Sequence, residues 1–476
     1  MVSFLSSIVI LILGYFAYGV FVEKVFGADE NRKTPAITME DGVDFMPLSW
    51  PRIFLIQFLN IAGLGPIFGA IMGALFGPAA FIWIVLGSIF AGGVHDYFSG
   101  MLSVRHEGKS ISEIVGIYLG ENARKIMRVF SVVLLVLVGT VFMTGPAQLL
   151  ANLKFAGLGS LNIWLAIIIV YYFLATILPV DKIIAKVYPL FGAALLIMAI
   201  GIGSMLFIKG YNIPEVTLNN FHPSGLSLWP MLFVTIACGA ISGFHATQSP
   251  MMARCLPNEK YGRKVFYGSM IAEGIIALIW AAAAMTFFDG GVVGLNDALV
   301  NGGGTAGVVN TISTSLLGKV GGILAMLGVI AAPITSGDTA FRSARLVIAD
   351  AIDYKQSKTK SRLLVAIPLF IVGFLLTRID FTIIWRYFAW SNQTLAMIVL
   401  WATAAYLIVS DKNHWIATIP GTFMTAVSVT YILQAPEGFK LPQTISCPVG
   451  IIAAIIVLAG FLYKFKWSVK TSINRI

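Results

Sequence analysis

NIAGLGPIFG, residues 60–69, sits in the middle of an apolar run that otherwise reads as a single helix. Three glycines and a proline interrupt it. In a helix interior each Gly costs about 1 kcal/mol and each Pro about 3 kcal/mol. A break there leaves N–H and C=O groups without helical partners. At membrane depth this is tolerated only where protein or a water-filled cavity satisfies them. The break therefore predicts backbone dipoles turned toward something polar, a substrate or an ion.

The rest of the chain supplies the membrane. Of its 476 residues 58% are hydrophobic and 11% charged, with mean hydropathy +0.87; a soluble domain carries roughly 25% charged residues. Uncharged apolar runs recur from end to end, which gives an all-α polytopic membrane protein. The net charge of +10 does not point to nucleic acid, because the basic residues fall in short loops between apolar spans. Cys238, Cys255 and Cys447 form no CxxC pair, so neither a disulfide framework nor a zinc site is expected, and no cofactor. The first twenty residues lack a basic n-region and a clear cleavage site, and are read as a retained helix rather than a signal peptide.

About 20 apolar residues span a bilayer. Thirteen spans are predicted: 3–22, 53–76, 79–103, 127–150, 161–179, 187–208, 227–248, 265–288, 317–341, 363–378, 382–409, 414–433 and 448–466. The loops then alternate between two sides. One side holds 26 of the 32 basic residues, from Lys24, Arg32, Lys33 and Arg52 through Arg105, Lys182, Lys186, Arg254 and Lys360 to the tail Lys466, Lys470 and Arg475. That side is expected to be cytoplasmic, with the N-terminus outside and the C-terminus inside.

A second break lies in ACGAISGFHATQSP, residues 237–250. Setting the N-terminal helix aside, the two breaks fall in the first and sixth helices of a ten-helix core. Five helices apart means opposite topology, and paired interruptions in inverted repeats point to a transporter binding site. Taken singly, either break also reads as a packing kink. The expected organisation is an N-terminal helix (1–22), a cytoplasmic linker (23–52), repeat 1 (53–208), repeat 2 (227–409), and two C-terminal helices with a tail (410–476). Candidate substrate-binding positions are Asn60, Gly63, Gly65, Gly239, Ser242, Gly243, His245, Gln248 and Asn392.

Ionisable groups at membrane depth are costly and default to functional hypotheses. Burial penalises a charged carboxyl group, so it can load and release a proton near neutral pH. His95 and Asp96 lie in the third span and Glu273 in the eighth, which correspond under the repeat. Asp96 and Glu273 are proton-relay candidates. Asp96 could instead pair with Arg105 or His106. His245 could bind a substrate carboxylate, pass a proton, or be a neutral histidine hydrogen-bonded in the bundle. In AAPITSGDTAFRSAR (331–345), Thr335, Ser336 and Asp338 offer oxygens for Na⁺ or a proton. Asp338 and Arg342, four apart, also suit a simple ion pair. Arg386 could hold a carboxylate, or snorkel within an aromatic belt. GGVVGLNDALVNGGGTAG (290–307) reads as a flexible lid or connector. No GxxxxGK[ST], HExxH, GxSxG or CxxCH is present, so neither an ATP-driven motor nor a familiar hydrolase is indicated.

Residues 60–116, with ISGFHATQSPMMARC (241–255), APITSGDTAFRSAR (332–345) and FAWSNQTLA (388–396), resemble the carbon starvation protein A (CstA) family. The resemblance runs from about residue 50 to 400, and the chain looks like a short member. It implies nutrient uptake across the inner membrane: peptides, in some members pyruvate, with proton coupling. It also implies a LeuT-like core of five plus five inverted helices. The function expected is a proton-coupled secondary active transporter that imports small carboxylate-bearing nutrients by alternating access, and not an enzyme. A Na⁺-coupled amino-acid symporter of the same fold, an ion channel and a membrane-embedded enzyme are the alternatives.

Overall fold

The computed structural model describes residues 1–42, 44–177, 181–356 and 358–473, and among them contains helices and no strand. Residues 178 and 179 of the fifth predicted span, and Arg475 of the basic tail, lie outside the described residues.

The helices used below are α1 (Val2–Phe26), α2 (Trp50–Ile61), α3 (Gly65–Gly73), α4 (Ala79–Arg105), α5 (Ile111–Leu119), α6 (Glu121–Asn152), α7 (Leu161–Ile177) and α8 (Asp181–Ile208). They continue with α9 (Gly243–Ala253), α10 (Glu259–Phe287), α11 (Val292–Asn301), α12 (Gly304–Ala325), α13 (Ala332–Ala351) and α14 (Thr359–Leu376). The last three are α15 (Phe381–Val409), α16 (Trp415–Gln434) and α17 (Gln443–Ile473).

Each predicted span meets a helical segment. Among the described residues ten segments are long and apolar enough to cross a membrane on their own, and α2 with α3 forms an eleventh, bent by 47°. The other two are α7, 17 residues long, and the segment that contains the second break. There the chain runs through a short helical piece, Leu228–Leu232 continued by Phe233–Thr235, then leaves the helix until Gly243 opens α9.

The Gly-rich stretch 290–307 departs from expectation. It is not a loop: α11 occupies Val292–Asn301, and α12 begins at Gly304. Gly290, Gly291, Gly302 and Gly303 lie between helices, and of these Gly290, Gly291 and Gly303 have positive φ, as does Gly304 at the start of α12. The turns need glycine while LNDALVN keeps helical propensity.

The core sits where α4, α9, α10 and α15 cross α2 and α3. Side chains there are almost all fully buried, including Phe58, Phe68, Phe98, Tyr97, Tyr267 and Trp280. Close approach rests on small residues, as is common between membrane helices. A Cβ at Gly65 would lie 2.3 Å from the Cys238 Cβ, and one at Gly73 2.2 Å from Ile236 Cγ1. The first broken helix therefore lies directly on the second break.

Candidate functional site

The first break is short. Ala62 N–H still bonds back to Phe58, at 2.8 Å, and Ile67 N–H to Leu64, at 3.2 Å. Among the described residues no acceptor takes the N–H groups of Gly63 and Leu64. Pro66 at the start of α3 has no N–H to satisfy. Asn60 is buried in the last turn of α2. Gly63 packs on Phe142, where a Cβ would approach its ring to 2.7 Å.

The second break is held by side chains. Trp83 Nε1 donates to the Ile236 carbonyl (3.0 Å), and Ser88 Oγ to the Gly239 carbonyl (3.1 Å). Asn392 Oδ1 accepts the Phe244 N–H in the first turn of α9 (2.7 Å), while its amide reaches Cys238 Sγ at 3.3 Å. These satisfy backbone groups that the missing helical turns would leave bare. Gly243 lets α9 meet α15: a Cβ there would stand 2.6 Å from the Asn392 carbonyl.

Just past this break lies a network of four ionisable side chains, all with zero exposure. Asp96 accepts from two imidazoles, His95 Nδ1 at 2.7 Å and His245 Nδ1 at 2.8 Å. The other face of His245 looks at Glu273, with Nε2 to Oε2 3.3 Å. That contact is close enough for an ion pair but is not aligned as a hydrogen bond, and neither Glu273 oxygen has another hydrogen-bond partner among the described residues. With Asp96 ionised, His245 carries its first proton on Nδ1. A second proton can then sit on either side of the short gap, as imidazolium facing carboxylate or as imidazole facing carboxylic acid. The geometry sets Asp96 against Nδ1, where it selects the tautomer, and leaves Glu273 facing Nε2.

Two wide helical turns aim these groups. Gly87–Gly92 precedes Asp96 in α4, and Arg263–Tyr267 precedes Glu273 in α10. Insertions of this kind often mark functional sites. Tyr267 O–H donates to the Ile89 carbonyl at 2.9 Å and ties one wide turn to the other.

The alternative partners proposed for Asp96 are engaged elsewhere. Arg105 binds Glu259 through Nε and Nη2, at 2.7 and 2.8 Å, and His106 Nε2 meets the Tyr118 hydroxyl at 2.7 Å. Arg386 is likewise occupied by Glu437, at 3.0 Å. Asp338 and Arg342 form the i,i+4 pair, at 3.2 Å. Thr335 Oγ1 donates to the Ala332 carbonyl at 2.7 Å, and Ser336 Oγ is buried with no hydrogen-bond partner among the described residues. Gln248 is buried and donates to Thr247 Oγ1 at 2.9 Å. Ser242 precedes α9 and faces Cys238 Sγ at 3.6 Å.

The structure thus joins Asp96, His245 and Glu273, and brings Gly65, Gly239, Gly243 and Asn392 to one crossing. It does not bring Thr335, Ser336 and Asp338 into that network. Trp83, Ser88 and Tyr267 escape a reading by sequence, although a serine inside the apolar run IVLGSIF is a signal.

Two cavities approach the crossing from opposite ends. One, of about 490 Å³, lies among Met72, Gln148, Thr235, Asn296, Trp385 and Arg386. The other, of about 320 Å³, lies among Arg128, Ser131, Thr247, Arg254 and Ser343. The second broken helix runs from Thr235 in the first to Thr247 in the other. Neither cavity is lined by the glycines of the breaks or by the buried network.

Comparison with known proteins follows the same outline. The sequence profile of the family "Carbon starvation protein CstA" matches residues 1–158 and 151–319. An uncharacterised membrane protein of Haemophilus influenzae is 44% identical over 61% of this chain and 92% of its own length. A peptide transporter CstA of Campylobacter jejuni is 28% identical over 65% of this chain and 53% of its own. The pyruvate/proton symporter BtsT of Escherichia coli is 27% identical over 59% and 48%. Among solved structures, a manganese transporter of Eremococcus coleocola aligns with TM-score 0.53 at 11% identity, covering 89% of this chain and 95% of that one. A Na⁺-coupled sialic acid symporter aligns with TM-score 0.52 at 13% identity, covering 94% and 97%. These likenesses establish the LeuT-like inverted-repeat fold of a multi-pass membrane protein.

Proposed function

This chain belongs to the carbon starvation protein CstA family, and from that premise we propose that it imports a small carboxylate-bearing nutrient by proton-coupled alternating access. A peptide, pyruvate or an amino acid each fits that class. The supporting observation is the fully buried Asp96–His245–Glu273 network, set one turn beyond the second helix break. A mobile proton there sits on the element that moves if the two cavities open in turn. The unclaimed N–H groups of Gly63 and Leu64, at the N-terminal end of α3, favour a substrate carboxylate. Repeat 1 is assigned to 53–208 and repeat 2 to 227–409. The basic loops face the cytoplasm of the cell that carries the protein in its inner membrane.

The coupling cycle follows from the proton positions. With Glu273 protonated and His245 neutral, the network carries one net negative charge, on Asp96, and substrate and proton cross together. Release of substrate and proton leaves Asp96 and Glu273 charged in the empty carrier, the same total as the loaded one, whereas a substrate carboxylate carried without the proton adds a third negative charge and is disfavoured.

A Na⁺-coupled reading has one observation of its own. Leu59 and Ala332 pack together where α2 meets α13, and Ser336 Oγ, one turn further on, has no hydrogen-bond partner among the described residues. A hard cation there would draw on Ser336, Thr335 and the carbonyls of the first break.

Proteoliposomes loaded with the purified chain separate these readings. Labelled pyruvate, alanine and a dipeptide are offered under an inward proton gradient or an inward Na⁺ gradient. Proton-driven accumulation of one of them is the expected result. Accumulation driven by Na⁺ alone moves the coupling site to Ser336. A flux that shows no counterflow exchange would mean a channel.

A further inference from the structure

On the face that carries the basic loops, two cavities adjoin outside the transport core. One, of about 690 Å³, is an apolar slot between α1, α2 and α10, walled by Tyr15, Phe16, Phe54, Leu55, Ile271 and Ile275. The other, of about 640 Å³, is polar and gathers Lys24, Trp50, Lys260, Tyr261 and Lys264. Trp50 and Lys264 line both, so slot and polar pocket are continuous.

The charges in the polar pocket do not cancel. Glu23 is taken by Arg263 at 2.8 Å, and Glu30 by Lys260 at 3.3 Å. Lys24 and Lys264 make no ion pair among the described residues. Lys264 Nζ lies over the Trp50 ring at 4.9 Å and over Tyr261 at 5.8 Å. The two rings stack at 6.5 Å with 19° between planes. An ammonium packed against two aromatic rings at the end of an apolar slot suits a headgroup at the membrane surface. The slot also has the right depth. From Lys264 to Ile275 is eleven residues of helix, about 16 Å at 1.5 Å each, close to half of the ~30 Å hydrocarbon thickness.

From this geometry we infer that α1, which stands outside the ten-helix core, completes a site for one anionic glycerophospholipid of the basic-side leaflet. The phosphate meets Lys24 and Lys264, and an acyl chain fills the slot. Basic pockets between membrane helices bind anionic headgroups in this way. The inference does not rest on which substrate or ion the transporter carries.

The test is native mass spectrometry of the detergent-purified full chain, titrated with phosphatidylglycerol, phosphatidylcholine or inorganic phosphate. The wild type is expected to retain phosphatidylglycerol in preference to phosphatidylcholine. Each of Lys24→Gln and Lys264→Gln should weaken phosphatidylglycerol about fivefold, in line with the contribution of one basic residue at a membrane surface. Ile271→Trp, which fills the slot, should weaken both lipids, and the exposed control Lys125→Gln neither. Equal retention of the two lipids by the wild type overturns the proposal, and that result needs no variant to fold. Displacement of phosphatidylglycerol by inorganic phosphate, with Ile271→Trp silent, also overturns it and reduces the site to a surface anion pocket.

Discussion

The two breaks occupy corresponding helices of the two repeats, yet they are built differently. The first covers only residues 62–64 and leaves the Gly63 and Leu64 N–H groups unclaimed. The second covers 236–242, is fastened by Trp83, Ser88 and Asn392, and leads straight to His245. One break presents backbone, the other anchors a titratable side chain between two acids. Inverted repeats supply the same interruption twice, and the helices packed around each one decide its chemistry. α4 and α10 bring acids to the second break; α6 brings Phe142 to the first.

The sharpest way to break this contrast is at Glu273. Glu273→Gln cannot ionise, so proton-driven accumulation should vanish while counterflow exchange of substrate persists. Unchanged uptake under a pH gradient would remove Glu273 from the relay. Asp96→Asn should act through His245 instead: without an anionic acceptor for Nδ1–H the tautomer is no longer fixed, and the pH profile of uptake should shift while folding survives.

The next test concerns packing at the first break. Gly65→Ala forces a Cβ against Cys238, and overpacking of this kind costs roughly 1–3 kcal/mol. Cys238→Gly in the same chain should restore part of it, and thermal unfolding of the four proteins of that cycle measures the coupling. Additive effects would mean the breaks do not touch as described.

Asn392→Ala should cost about 1–3 kcal/mol, because the buried Phe244 N–H loses its acceptor. Among the described residues no side chain bonds to the backbone of the first break, so no polar-to-alanine change there should match it. The smallest effect is expected at the start of α15, where Asp380 lines the first cavity. The Asp380 side chain accepts from Thr382 N–H at 2.9 Å, and its bonds to Thr382 hold the Asp380 carboxyl below the usual aspartate value. A depressed folded-state value stabilises above the ordinary aspartate range, and that gain is lost as pH falls through the folded value. Asp380→Ala should lower stability by about 1 kcal/mol at neutral pH, and the difference from wild type should shrink in acid.

The sequence alone carried much of this. Apolar runs of membrane length, with basic residues gathered in every second loop, defined the spans, because a bilayer demands about 20 apolar residues and a positive inner face. The glycines and Pro66 exposed the first break, and Gly239 with Gly243 the second, since these residues are costly inside a helix. Asp96, His245 and Glu273 stood out as ionisable groups in apolar surroundings. Their partnership did not. They lie 149 and 28 positions apart, and only the crossing of α4, α9 and α10 makes one network of them. The choice of Glu259 for Arg105, Glu437 for Arg386 and Gly65 for Cys238 was equally a matter of tertiary contact. Periodicity and composition act along the chain, where cost is local. Pairing of buried charges and the meeting of small residues act across it, and depend on which helix faces which.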